Sequence, residues 1–333
     1  MKYRNLGATG MKVSELCLGT MGFGTSAWRP WVLDESDSLP IIRAAIEQGI
    51  NFVDMADFYS DGVSEQVVGK ALKHFPRNDL VLATKCYYPM GPGVNNRGLS
   101  RKHIFEAVDA SLQRAGVDFF DLYIVHGFDP DTPMEETMRA LHDVVQSGRV
   151  RYLGASTMYA WQFVKMNSIA RSAGWTPFIS MQCQLNAAYR EEEREMIPYC
   201  IHEGIAVTPF SPLARGLLSG DASSLRNRTD NFTNDQYGDA NSRQIASAVA
   251  RVAEQRGCTA SQVAMAWVNS RPGVTSVLTG VDRVEQLQAN LQAMQMQLTP
   301  QEIESIDSWY VPADVINDHR PNRMVRGPHP ERA

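Results

Sequence analysis

Three successive apolar runs each stop at an ionisable side chain. NFVD ends in Asp54, LVLATK in Lys85 and DLYIVH in His126, and a phenol, Tyr59, lies five residues past the first of them. If the fold brings these four together, their chemistry is that of carbonyl reduction. A tyrosine with a free pKa near 10 gives up a proton poorly at neutral pH, and an adjacent ammonium is expected to lower that value. A shift of about two units corresponds to roughly 2.7 kcal/mol. Asp54 would hold Lys85 charged and aimed, because an ammonium withdrawn from water needs a partner. Tyr59 would then be a general acid toward a developing alkoxide, with Lys85 and His126 as its electrostatic support. Side chains carry no hydride, so a nicotinamide or a flavin is implied. An alternative use of Lys85, as the Schiff-base amine of a barrel aldolase, leaves Tyr59 without a role.

These residues need strand ends to position them. Asn51–Val53 reads as a short buried strand, Asp57, Ser60, Asp61 and Gly62 as turn formers, and Ser64 as the start of a helix with Val67, Val68, Ala71 and Leu72 on one face. The same alternation runs along the chain. Strands are predicted at 16–20, 51–53, 80–84, 121–125, 152–155, 178–182, 205–209 and 275–278. Helices are predicted at 38–47, 64–74, 101–115, 134–147, 160–173, 191–203, 243–255, 260–269 and 284–294. Tyr3–Val13 reads as a hairpin turning at Ala8, Thr9 and Gly10. Strand and helix units without a long linker predict an α/β fold, a single (β/α)8 TIM barrel over residues 1–310, with an N-terminal β-hairpin and long loops on the C-terminal face at 86–99 and 214–241. No G-x-G-x-x-G follows a strand, which argues against a doubly wound dinucleotide domain.

Bulk composition excludes several classes. Of 333 residues, 44% are hydrophobic and 21% charged, which is ordinary for a globular protein and allows a large core. The net charge of −5 is the wrong sign for a general nucleic-acid binder. No run of about 18 apolar residues is present, so neither export nor a membrane span is expected. Cys17, Cys86, Cys183, Cys200 and Cys258 are odd in number and scattered, which fits reduced thiols in a cytoplasm. The His residues show no metal-binding spacing.

The sequence resembles the aldo-keto reductase family over nearly its whole length. The blocks are YRNLGATGMKVSELCLGTMGFG, NFVDMADFYSDGVSEQVVGKAL, LATK, DLYIVHGFDPDTPMEETMRAL, LGASTMYAWQF, SMQCQLNAAYREEEREMIP, TPFSPLARGLL and LTGVDRVEQLQANL. It looks most similar to a bacterial branch related to potassium-channel β-subunits. The resemblance implies a catalytic tetrad of Asp54, Tyr59, Lys85 and His126, and a cytoplasmic oxidoreductase that uses NADP(H), or NAD(H), on a small carbonyl or alcohol substrate. It places Ser156 and Gln182 at the nicotinamide carboxamide, Phe210 against the nicotinamide face, and Gly19, Thr20 and Met21 near the nicotinamide ribose, beside Asp54. It places Ser211, Leu213 and Gly216 along the pyrophosphate, and Gly280, Val281, Arg283, Gln286 and Asn290 at the adenosine end. Cys183, Gln184 and Gly127 depart from the family pattern, and Asp282 beside Arg283 is expected to weaken the hold on a ribose 2′-phosphate. Trp28, Trp31, Tyr87 and Tyr88 are expected to line an apolar or aromatic substrate pocket. The segment 311–333 is read as a tail able to close over it. The resemblance to channel subunits also permits a rival reading, an NADP-binding module that signals redox state with slow turnover.

Overall fold

The structure is a computed structural model and describes residues 1–220, 229 and 236–311. Parts of the expected 214–241 loop, and the tail beyond Val311, lie outside the described residues. Strands β1 (Tyr3–Asn5) and β2 (Lys12–Ser14) form an antiparallel hairpin with Tyr3 opposite Ser14. The barrel strands are β3 (Leu16–Gly19), β6 (Phe52–Asp54), β7 (Val81–Cys86), β8 (Phe120–Val125), β9 (Val150–Ser156), β10 (Phe178–Gln182), β11 (Ala206–Val207) and β12 (Val277–Thr279). All neighbours are parallel, in the order β12, β3, β6, β7, β8, β9, β10, β11. The ring closes where Val207 bridges Val274, Thr275 donates to the Val207 carbonyl at 2.8 Å, and Leu278 donates to the Pro209 carbonyl at 2.9 Å. A small pair, β4 (Phe23–Gly24) and β5 (Leu33–Asp34), stands outside the ring. The (β/α)8 barrel expected from the sequence is therefore the fold observed.

The helices are α1 (Glu35–Glu47), α2 (Val63–Leu72), α3 (Arg101–Ala115), α4 (Met134–Gln146), α5 (Ala160–Ser172), α6 (Met196–Glu203), α7 (Ala240–Arg256), α8 (Ala260–Asn269), α9 (Val284–Ala293) and α10 (Pro300–Asp307). Their boundaries follow local chemistry. Ser100 caps α3 by accepting from the His103 N–H at 3.2 Å, and Gly116, at φ +63°, ends it. α10 was not anticipated from periodicity, yet Thr299, Pro300 and Glu302 form a capping box with proline in the first turn. The strand expected at 205–209 shortens to Ala206–Val207 because Pro209 has no N–H for the ladder. The helix expected at 191–203 splits into a 3₁₀ turn (Glu191–Glu193) and α6.

Two apolar layers result. Between strands and helices lies a large core that includes Leu18, Val53, Leu82, Tyr123 and Leu153. Inside the ring, Cys17, Phe52, Val81, Ala83, Leu122, Ile124 and Leu278 pack together, and Leu6 and Val13 of the hairpin join them, so that β1 and β2 plug the N-terminal end. Side chains alternate along a strand with period two. One step beyond Phe52 on the inward face is Asp54; one step beyond Ala83 is Lys85; one step beyond Ile124 is His126. A core packed from below thus delivers all three to the C-terminal mouth.

Helices α2 and α3 touch backbone to backbone. A Cβ on Gly69 would lie 2.2 Å from the Ala115 carbonyl oxygen, and that backbone cannot yield as a side-chain tip can. Gly69→Ala is expected to lower unfolding free energy by about 1–3 kcal/mol in urea denaturation. An unchanged midpoint would mean that the two helices are free to separate.

Candidate active site

Asp54 ends β6, and Lys85 is the last residue but one of the adjacent β7. Asp54 is level with Ala83, and the ladder continues past the strand end as the Met55 N–H donates to Ala83 at 2.9 Å and the Asp57 N–H to the Lys85 carbonyl at 3.2 Å. The Lys85 side chain is 0% exposed and that of Asp54 1%. Lys85 Nζ donates to Asp54 Oδ2 at 2.6 Å, to the Met55 carbonyl at 2.8 Å and to Tyr59 Oη at 3.2 Å. These bonds engage all three ammonium protons. Tyr59 opens a 3₁₀ turn (Tyr59–Gly62) in which Ser60 and Asp61 adopt left-handed backbone, so the turn expected there forms and aims the phenol back over the strands. The turn is anchored: Ser64 Oγ donates to the Thr20 carbonyl at 2.9 Å, and Thr20 Oγ1 to the Asp54 carbonyl at 3.1 Å.

Burial works against the Lys85 charge, but Asp54 and Tyr59 outweigh it and hold the amine above its ordinary value. For Tyr59 the sequence expectation is reversed. Burial raises the phenol above its ordinary value, and the opposing pull of Lys85 does not overcome it. Tyr59 is consequently a protonated phenol at neutral pH. His126 is half-buried, with its ring 5.8 Å from that of Tyr59 in an edge-on arrangement. Burial, then Lys85, hold it well below the usual imidazole range, so it is neutral, and its Nδ1 is buried without a hydrogen-bond partner. It contributes a dipole and an N–H rather than a second cation.

Aromatic rings lead away from this centre in an unbroken series. Trp28 meets Phe58 at 5.5 Å, Phe58 meets Tyr88 at 4.9 Å, and Tyr88 meets His126 at 4.9 Å, with Tyr87 against Tyr88 at 5.2 Å. Phe58 was not singled out from the sequence. At Gly127, one of the departures, a Cβ would lie 3.2 Å from the Tyr87 ring, which would have to give by a few tenths of an ångström. Trp31 lies beyond Trp28, and Arg29 stacks over both.

The remaining expected site residues occupy the same face. Gly19 ends β3 opposite Asp54, and Met21 is half-buried just beyond it. Ser156 is buried at the end of β9, 3.0 Å from Thr157 Oγ1. Gln182 ends β10 and its amide donates to Asp54 Oδ1 at 3.0 Å, a contact between residues 128 apart that no local pattern encodes. Phe210 is half-buried beside Cys183 and Gln184. Gln184, the other departure, donates to Tyr237 Oη at 2.6 Å, as does Asn186 at 3.0 Å. Backbone at Ser211, Ala214, Arg215 and Gly216 is left-handed, the type of conformation that turns N–H groups into anion-binding nests. The Leu213 carbonyl accepts from Gly216 and Leu218 within this turn. At the far end, Gly280 is exposed and Val281 buried. Gln286 accepts from the Asp282 N–H at 2.8 Å, and Asn290 donates to Thr279 Oγ1 at 2.7 Å, which fixes α9 against β12. Arg283 is exposed, 3.4 Å from Asp282.

The aldo/keto reductase family model matches residues 15–311. Versiconal hemiacetal acetate reductase of Aspergillus parasiticus is 42% identical, covering 94% of this chain and 98% of its own. Aldo-keto reductase AMT2 of Alternaria alternata is 41% identical, covering 92% and 91%. A solved thermostable aldo-keto reductase, Tm1743, in complex with the inhibitor epalrestat, superposes with a TM-score of 0.76 at 28% identity, over 93% of this chain and all of that one. Both sequence relatives are fungal, so the expected place in a bacterial branch near the channel β-subunits is not supported.

The Asp54–Lys85 pair makes a direct prediction. Lys85→Met strands a buried carboxylate and is expected to cost about 3–5 kcal/mol of unfolding free energy, whereas Asp54→Asn with Lys85→Met recovers part of that loss. Equal stability of wild type and Lys85→Met in urea would show that the ammonium is not held as described.

Proposed function

The chain belongs to the aldo/keto reductase family, and from that premise we propose that it reduces aldehydes or ketones to alcohols with NADPH, Tyr59 donating the proton. The observation that carries this reading is the Tyr59 hydroxyl 3.2 Å from an ammonium that Asp54 holds at 2.6 Å, all within a buried barrel mouth. A carbonyl oxygen that gains charge there meets a donor, Tyr59, whose own developing negative charge Lys85 stabilises. Gln182 fixes the second oxygen of Asp54, so the carboxylate cannot rotate away from Lys85. His126, neutral and edge-on to Tyr59, is placed to donate a hydrogen bond to the substrate's carbonyl oxygen. The reverse oxidation uses the same groups.

A bound nicotinamide supplies the hydride, which no side chain can. The residues present suit such a group. Ser156 and Gln182 end neighbouring strands where a carboxamide would be held, beside Thr20 and Met21, and Phe210 offers a ring to stack. The left-handed turn through Ser211 and Gly216 suits a pyrophosphate, and the start of α9, with Gly280, Val281 and Arg283, suits the adenosine phosphate. Asp282 competes for Arg283, but an exposed pair is worth at most about 1 kcal/mol, too little to exclude a 2′-phosphate. The ring series from Trp28 to His126 supports an apolar or aromatic carbonyl compound as substrate. Among the described residues no helix is long and apolar enough to cross a membrane. A cytoplasmic location is supported by five unpaired cysteines.

With NADPH and a small aromatic aldehyde, Tyr59→Phe is expected to lower kcat about 10²–10⁴-fold while cofactor affinity stays the same. Equal rates in wild type and variant would remove Tyr59 as the acid.

A further inference from the structure

Behind the tetrad lies a second polar layer that hydride transfer does not use. Glu65 of α2 is fully buried; its Oε1 accepts from Thr84 Oγ1 at 2.5 Å, and its Oε2 pairs with Arg114 Nε of α3 at 2.6 Å. Arg114 also donates to Ser111 at 3.0 Å. Two closed ion pairs therefore flank this region, each neutral overall: Asp54 with Lys85, both buried, and buried Glu65 with the partly exposed Arg114.

Asp57 is in electrostatic reach of both. It is 1% exposed, on the connection between Asp54 and Tyr59, and its N–H donates to the Lys85 carbonyl at 3.2 Å. Neither carboxyl oxygen has a hydrogen-bond partner, and the Phe58 N–H, Arg114 and Lys85 together do not overcome the effect of burial. The groups that face it are Glu65 from α2, Arg114 from α3, Lys85 and Cys86 from β7, and Tyr123 from β8. Arg114 is already engaged by Glu65, and Lys85 by Asp54. A charge on Asp57 would be an uncompensated buried anion. Burial, then Glu65, push its carboxyl up to about 8, so it is a neutral acid at pH 7.

We propose that Asp57 is a positioning residue: its N–H holds the Lys85 carbonyl while its uncharged carboxyl packs beneath the Asp54–Tyr59 connection, and once ionised it draws the field of Lys85 away from the phenol. The kinetic half of this inference rests on the carbonyl-reductase reading; the protonation half does not. As pH rises through about 8 the acid loses its proton and a phenolate at Tyr59 becomes harder to form, so reduction slows. Tyr59 itself, raised above its ordinary value, keeps its proton over that range. In the unfolded chain the carboxyl reverts to about 3.8. Between those two values the native state binds the extra proton, so this group's contribution to stability falls as pH rises from about 4 to about 8.

The test compares wild type, Asp57→Asn and Asp57→Ala. Benzaldehyde reduction by NADPH from about pH 6 to 10 is expected to fall about tenfold in wild type between pH 7 and 9. Asp57→Asn should keep the neutral rate within about threefold and lose that decline; Asp57→Ala should lose it too, at a lower overall rate. In urea, the stability margin of Asp57→Asn over wild type should grow between about pH 4 and 8 and then level off. An alkaline decline that persists in both variants, or a margin flat across that range, overturns the proposal. If wild type does not reduce the aldehyde at all, the proposed function and the kinetic half fall together, and the denaturation margin alone decides whether Asp57 holds its proton.

Discussion

A lysine ammonium removed from water must be surrounded by acceptors, and the arrangement of this barrel mouth follows from that requirement. Lys85 is wholly buried, and its three donors are met by a carboxylate, a main-chain carbonyl and a phenol. Loss of any one leaves an unpaired buried group, so each partner fixes the others in place. The same demand makes the cluster reactive. Shielded from solvent, the ammonium lies 3.2 Å from the phenol and eases a negative charge there, against the opposing effects of burial and Asp54.

The scaffold meets this requirement with strand geometry alone. Period-two alternation turns Phe52, Ala83 and Ile124 into the ring interior and leaves Asp54, Lys85 and His126 one step above them. The hairpin closes the other end, with Leu6 and Val13 packed against the inner layer. Charge is balanced in layers. The outward-lying Glu65–Arg114 pair, tied to Thr84, braces α2 and α3 at the place where Gly69 lets their backbones meet.

Strand ends were legible in the sequence because an apolar run that stops at an ionisable residue is a local signal, and Asp54, Lys85 and His126 each carry it. The turn after Asp54 was legible for the same reason. Contacts across elements were not. Gln182 to Asp54, Gln184 and Asn186 to Tyr237, and Arg114 to Glu65 join residues from 49 to 128 positions apart, and nothing near any of them names its partner. Asp57 looked like a turn former because aspartate is common in turns; only its burial distinguishes it. The direction of the Tyr59 shift was misjudged because the favourable charge of Lys85 is visible in a sequence and the cost of burial is not. α10 had its signal, the Thr299–Glu302 box, but too few apolar residues to stand out by period.

The central claim is that Lys85 acts through Tyr59 and not beside it. A double-mutant cycle on kcat/KM for aldehyde reduction, with Tyr59→Phe, Lys85→Met and both together, tests this most directly. If the two act as one unit, the double variant is within about threefold of the slower single variant. Losses that multiply would contradict the account, since they would mean that the ammonium contributes to the reaction by a route of its own.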